Sequence, residues 1–216
     1  MVKVNKLYCL FINLTVLFLF FYMLVPFADA ISIPLSEQYS YINADMAALA
    51  EQDYDSVLDT YILFSFITQK NKRQSPIVSY LVAKRTVEHV NSDYRFSKMA
   101  TKTGFLSLIV GIMQVESGFN PLATSEKDAR GLMQVHYPTW KNSIRDKSIY
   151  DMQFNLLWGT SILYTYYTAE NGNLKKALYR YYGAPDDSYV SKIILCSVRF
   201  KKFYTEFIGT LSPNLY

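Results

Sequence analysis

The sequence predicts a mainly α protein, and three observations carry that prediction. Apolar residues return at spacings of three and four along most of the chain beyond residue 40. Strand-like alternation is weak throughout. Helix-start residues stand in front of apolar runs, as Ser75-Pro76 does, with Ser as N-cap and Pro at the first helical position. The chain has 216 residues, half of them hydrophobic, which excludes disorder and is ample for a sizeable core. A net charge of +4, with no run of five basic residues, gives no footprint for nucleic acid.

The elements follow in chain order. Lys3 and Lys6 precede 19 residues, Leu7 to Val25, whose only polar breaks are Asn13 and Thr15. Pro26 and then Ala28-Asp29-Ala30, a small-x-small site, come next. Residues 1–30 therefore read as a secretory signal peptide cleaved after Ala30. The same run is long enough to span a bilayer, so an uncleaved membrane anchor is the alternative. Either way, the positive flank stays in the cytoplasm and the rest of the chain works outside it, in the periplasm or at the cell surface. Cys9 lacks the small-residue context of a lipoprotein site. Losing residues 1–30 leaves Cys196 alone; its neighbours Ile193, Ile194, Leu195 and Val198 make it a buried structural thiol.

Residues 31–75 read as a helical N-terminal extension, with a poorly ordered lead-in over 31–40. Ala44, Ala47, Ala48 and Leu49 start the helical pattern, and Val57, Leu58, Tyr61, Ile62, Phe64 and Ile67 continue it. Asn71-Lys72-Arg73-Gln74 breaks it. From Ser75 the spacing of Ile77, Tyr80, Leu81, Lys84, Val87 and Val90 predicts another helix. Further helices are expected over Lys102 to Ser117, Asp151 to Glu170, Leu174 to Tyr182 and Asp187 to Ile208. The predicted catalytic domain covers residues 76–216.

Chemistry concentrates between residues 112 and 134. Glu116 is the one acidic residue between Asp93 and Glu126, and it ends an apolar helix containing Phe105, Leu106, Leu108, Ile109, Ile112, Met113 and Val115. The negative end of the helix dipole and the apolar surroundings both disfavour its charged form, so its pKa is expected to rise. A carboxylic acid held protonated near neutral pH is what protonation of a glycosidic oxygen requires. By itself this is also how an ordinary solvent-facing helix-end Glu would look. His89 and His136 make no metal-ligand spacing and no Cys cluster assists them, so neither metal nor cofactor is expected.

The context decides between these readings. Residues 116–135 run ESGFNPLATSEKDARGLMQV. This closely resembles the signature of soluble lytic transglycosylases and goose-type lysozymes, with agreement at Glu116, Ser117, Phe119, Asn120, Pro121, Ala123, Ser125, Ala129, Gly131, Leu132, Met133 and Gln134. Downstream, Asn155-Leu156, Gly159, Ile162-Leu163, Asn171-Gly172-Asn173-Leu174, Tyr181 and Tyr189-Val190 with Lys192 are similar to later family motifs. The resemblance spans roughly residues 76–205 and implies a lysozyme-like α-helical catalytic domain.

It also implies an activity, cleavage of the MurNAc-β-1,4-GlcNAc bond of peptidoglycan glycan strands with formation of 1,6-anhydro-MurNAc and Glu116 as single general acid and base. Ser125 and Gln134 would contact the sugar amide and hydroxyl groups, Met133 would form an apolar cleft wall, and Tyr181 would place its hydroxyl near Glu116. Asp128 and Glu126 are read as solvated loop charges, Ser117 as support for the helix end, and Asn155 and Gly159 as helix capping and close helix approach. Tyr182 departs from the family's usual Asn, and Gly183-Ala184 inverts the small pair that follows. A hydrolase of the same fold and a non-catalytic peptidoglycan-binding scaffold are the alternatives. Envelope-spanning secretion or assembly machinery is the partner class that a single small catalytic domain suggests.

Overall fold

The structure, a computed structural model, describes residues 33–96, 100–145 and 148–211. The described residues fall in one compact unit, Ile33–Tyr216. The signal-peptide or anchor reading of residues 1–30 lies outside them. Among the described residues no helix is long and apolar enough to cross a membrane.

The fold is mainly α. Its helices are α1 (Leu35–Ala50), α2 (Tyr54–Lys70), α3 (Pro76–Ser92), α4 (Lys102–Glu116), α5 (Tyr137–Ile144), α6 (Met152–Ala169), α7 (Leu174–Tyr182) and α8 (Asp187–Leu211). Two short antiparallel strands, β1 (Ala129–Arg130) and β2 (Val135–His136), pair Ala129 with His136 and Arg130 with Val135. Side-chain caps start most of the helices. Asp53, Ser75, Thr101, Asp151 and Asn173 each accept a backbone N–H from the first turn of α2, α3, α4, α6 and α7. Each such cap satisfies a donor that the helix itself leaves open.

Two elements differ from the sequence expectation. Helix α1 begins at Leu35, inside the stretch expected to be a poorly ordered lead-in. Its early inward position is the polar Gln38, so the apolar period does not appear in the sequence. Buried Gln38 donates to the Ile33 carbonyl at 2.9 Å and accepts from the Ile77 N–H at 3.4 Å. Helix α5 was not foreseen either, because only Ile144 among its residues is buried.

The core explains why α1 and α2 belong to the same unit as the rest. Fully buried Phe66 on α2 meets Phe119 at 6.4 Å, Phe200 at 5.1 Å and Phe203 at 5.5 Å between ring centroids. Buried Asp59 on α2 accepts the Tyr204 hydroxyl of α8 at 2.7 Å and pairs with Lys102 of α4 at 2.8 Å. Asp45 on α1 accepts from both Tyr80 and Lys84 of α3 at 2.6 Å. Between α3 and α6, buried His89 lies 3.0 Å from the Thr160 hydroxyl, with burial the main influence lowering its pKa.

Helices α4 and α8 pack closely, and Gly111 permits it. A Cβ there would stand 2.6 Å from the Ile193 carbonyl oxygen and 2.1 Å from Ser197 Oγ. The Ser197 hydroxyl can rotate, but the backbone carbonyl of a packed helix cannot. Cys196, beside this seam, is half-buried rather than buried, because Ile194, Leu195 and Val198 face outward. Burial still pushes its thiol up, which disfavours the reactive thiolate.

The Gly111 notch generates a prediction with a control. Gly111→Ala forces α4 and α8 apart and costs about 2 kcal/mol or more, as overpacking does. Gly209→Ala, where an added Cβ meets open space, is neutral or stabilising by up to ~1 kcal/mol through helix propensity. Urea denaturation of both variants checks the opposite signs.

Candidate active site

The apolar run of α4 fixes where the site lies. Phe105, Leu106, Ile109, Ile112 and Met113 face the core, so the helix ends with Glu116 half-buried at its last position. Ser117 closes the end by donating its hydroxyl to the carbonyls of Met113 at 3.0 Å and Leu132 at 2.9 Å. It is a structural tie between α4 and the following loop. Gly118 and Phe119 then both take positive φ, +58° and +68°. This turn drives the Phe119 ring into the core beside Phe66.

Residues 117–136 wrap into a compact collar. Positive φ recurs in it at Asp128, Gly131 and Gln134. Such values at non-glycine residues carry strain that the surroundings must hold, and they cluster at functional sites. Asn155 of α6 does much of the holding. With 1% exposure, it accepts the Met133 N–H at 2.8 Å and donates to the carbonyls of Arg130 and Ile149, both at 2.9 Å. Gly131 leaves room for it, since a Cβ there would stand 2.3 Å from Asn155 Nδ2. Asn155 is thus a loop clamp rather than a helix cap. Gly159 admits the Met133 side chain, with only 2.5 Å between an added Cβ and Met133 Cβ.

From the other side, α7 ends at Tyr182 with Gly183 in the left-handed region at φ +91°. Asp186 caps α8, accepting the N–H groups of Ser188 at 2.8 Å and Tyr189 at 3.0 Å. That cap delivers the Tyr189 hydroxyl to Glu116 Oε1 in a short hydrogen bond. Tyr189 is 5% exposed. Glu116 is consequently desolvated, and burial pushes its carboxyl up to about 7, with the Tyr189 hydrogen bond opposing. Burial also raises the Tyr189 and Tyr181 phenols, helped by the nearby Glu116 charge, so both remain neutral donors. No second carboxylate among the described residues shares this hydrogen bond. Asp128 pairs with Arg130 at 2.5 Å, while Glu126 is exposed on the collar.

This geometry stands in a stretch with known relatives. Residues 93–187 match the family described as "Transglycosylase SLT domain". Over those residues the chain is similar to that domain. A protein named membrane-bound lytic murein transglycosylase C from Actinobacillus pleuropneumoniae is 38% identical over 82 residues, covering 35% of this chain and 22% of that protein. Its namesake from Haemophilus ducreyi is 47% identical over 64 residues, covering 27% and 17%. The chain thus spans about a fifth of the length of the curated relatives it matches. No solved structure matches.

Set on this matched stretch, the sequence-derived residues divide. Glu116 stands at the edge of the collar, hydrogen-bonded by the Tyr189 hydroxyl. Ser125 is exposed on the collar, accepting the Ala129 N–H at 3.0 Å with its hydroxyl oxygen. Gln134 is half-buried and spends its amide N–H groups on the carbonyls of Ala123 at 3.1 Å and Gly131 at 3.0 Å. One expectation needs correction. Met133 is 0% exposed, sunk against Gly159, so it backs the collar from the core instead of facing a cleft. The Tyr181 hydroxyl is near enough to Glu116 to feel its charge, as expected, and donates to the Met133 carbonyl at 2.7 Å. The residue on Glu116 is Tyr189. Its signal was present in the Tyr-Val-x-Lys motif, but seventy-three positions of sequence separate the pair.

The raised carboxyl has a stability signature. Its folded pKa, about 7, exceeds the unfolded value of 4.5. The contribution is therefore fully present below pH 4.5 and is lost as pH rises through 7. Glu116→Gln keeps an acceptor for Tyr189 but never ionises. Urea unfolding is expected to find the variant near wild-type stability at pH 4 and more stable by about 3 kcal/mol at pH 8. A constant difference across that range would contradict the burial account.

Proposed function

We propose that this protein is a peptidoglycan lytic transglycosylase with Glu116 as its single general acid and base. The observation that carries the reading is the Glu116 carboxyl at the rim of the collar, hydrogen-bonded by Tyr189 and pushed up to about 7 by burial. A neutral carboxylic acid near physiological pH is a proton donor, and its conjugate base is a competent acceptor.

In the proposed reaction protonated Glu116 gives its proton to the glycosidic oxygen linking MurNAc to GlcNAc. The C1–O bond breaks and the GlcNAc side leaves as an alcohol. The Glu116 carboxylate then takes the proton from the muramyl C6 hydroxyl, whose oxygen bonds to C1. The product is 1,6-anhydro-MurNAc; no water is consumed and Glu116 returns to its acid form. Two-carboxylate glycosidases use a second side chain at the anomeric centre. Here the substrate's own acetamido group takes that role, in keeping with a site where one carboxyl stands with a phenol partner. Ser125, exposed on the collar, and the free side of the Gln134 amide are the groups proposed to meet the sugar.

The relatives' names, membrane-bound murein transglycosylases, support action outside the cytoplasm on glycan strands of the wall. Envelope-spanning secretion or assembly machinery is the partner class proposed for such local opening. The second reading is hydrolysis in the same site, with water replacing the C6 hydroxyl. It draws on the same lone carboxyl.

Mass spectrometry of products from purified protein and peptidoglycan separates the outcomes. Anhydro-muropeptides that disappear with Glu116→Gln, by a factor of at least ~10² as for loss of a general acid, are the expected result. Reducing-end products would instead favour hydrolysis. No product from folded protein would overturn both enzyme readings and leave glycan binding.

A further inference from the structure

We propose that Tyr182 is a positioning residue for Glu116, acting through Tyr189, whose ring it stacks on and so holds with the hydroxyl aimed at the carboxyl. Its kinetic consequence, though not its geometry, rests on the functional reading above.

The geometry is specific. The two rings lie nearly parallel, 22° apart, with centroids at 4.5 Å. They come from different helices, Tyr182 from the last position of α7 and Tyr189 from the first turn of α8. The connection is only residues 183–186, and three features fix its path. Gly183 ends α7 in the left-handed region at φ +91°, a conformation that strains any side-chain-bearing residue. Pro185 restricts the backbone ahead of Asp186. Asp186 caps α8 on the Tyr189 N–H itself. The turn therefore sets both rings face to face.

Exposure makes the arrangement asymmetric. Tyr182 is 52% exposed while Tyr189 is 5% exposed, so Tyr182 gives one face to Tyr189 and leaves the other to solvent. A tyrosine hydroxyl swings on two side-chain torsions, and its hydrogen bond weakens steeply once misaligned. The Asp186 cap holds only the backbone of Tyr189. The ring is held by its packing, and Tyr182 is the stacked partner on it. The family signature that this chain resembles carries Asn at position 182; an amide has no ring face to present. Here the aromatic side chain does for Tyr189 what an Asn cannot.

A double-mutant cycle with a soluble glycan-strand fragment tests the idea. Tyr182→Ala and Tyr182→Asn are expected to lower kcat about tenfold with KM unchanged. Tyr182→Phe, which keeps the ring, stays within about twofold of wild type. In a Tyr189→Phe background, where no hydroxyl remains to aim, Tyr182→Ala changes kcat less than about twofold. An equal loss in that background would overturn the proposal. So would a rise in KM at constant kcat, which would make Tyr182 a sugar platform, or a Phe variant as impaired as the Ala variant.

A second readout needs no turnover. The Tyr189 hydroxyl proton, assigned by its disappearance in Tyr189→Phe, should give a downfield proton NMR signal in wild type and Tyr182→Phe. It should be lost to exchange in Tyr182→Ala and Tyr182→Asn. Persistence in Tyr182→Ala, or its absence from wild type, would overturn the proposal. If wild type forms no Glu116-dependent product while this pattern holds, the functional reading fails and the positioning inference stands.

Discussion

The hydrogen bond from Tyr189 to the buried end of Glu116 is the interaction around which the site is arranged. Two forces act on that carboxyl in opposite directions. Removal from water, together with the negative end of α4, disfavours the charged form, whereas a phenol donor favours it. The shift from 4.5 to about 7 corresponds to about 3 kcal/mol. A hydrogen bond to a charged acceptor contributes about 1.5–3 kcal/mol, yet here burial still wins. The protein therefore tolerates a group that destabilises its fold at alkaline pH, as expected of a residue kept for chemistry rather than for packing.

Such an acid is useful only if it is aimed, and much of the surrounding structure serves that end. Ser117 pins the last turn of α4 to Leu132. Asn155 holds the collar through two hydrogen bonds and ties it to the Ile149 carbonyl with another, and Tyr181 adds a contact at the Met133 carbonyl. These contacts hold Phe119, Asp128 and Gln134 at positive φ, each costing of order 1–3 kcal/mol. The collar is thus preorganised, and substrate binding need not order it. The Gly111 seam between α4 and α8 matters for the same reason, because Glu116 and Tyr189 sit on those two helices.

What was legible in the sequence followed from local rules. Helices α6 and α7 could be bounded from Asp151, Glu170, Leu174 and Tyr182 because capping and apolar period are near-neighbour signals. Glu116 could be singled out because its apolar helix and the ESGFNP context adjoin it in the chain. The start of α1 was hidden by a buried Gln38, a polar residue doing the work of an apolar one. Met133 was assigned to the cleft by resemblance. Its true direction depends on Gly159, which only the packed structure brings against it. Tyr182 looked like a defect in the motif. In the fold it is the ring stacked on Tyr189.

The account depends on Glu116 remaining protonated near neutral pH. A pH titration of its side-chain carboxyl by carbon-13 NMR, assigned by its absence in Glu116→Gln, measures that directly. The account predicts a midpoint close to 7. A midpoint near the ordinary 4.5 would mean that water reaches the carboxylate, and would contradict the desolvated acid at the centre of the proposed chemistry.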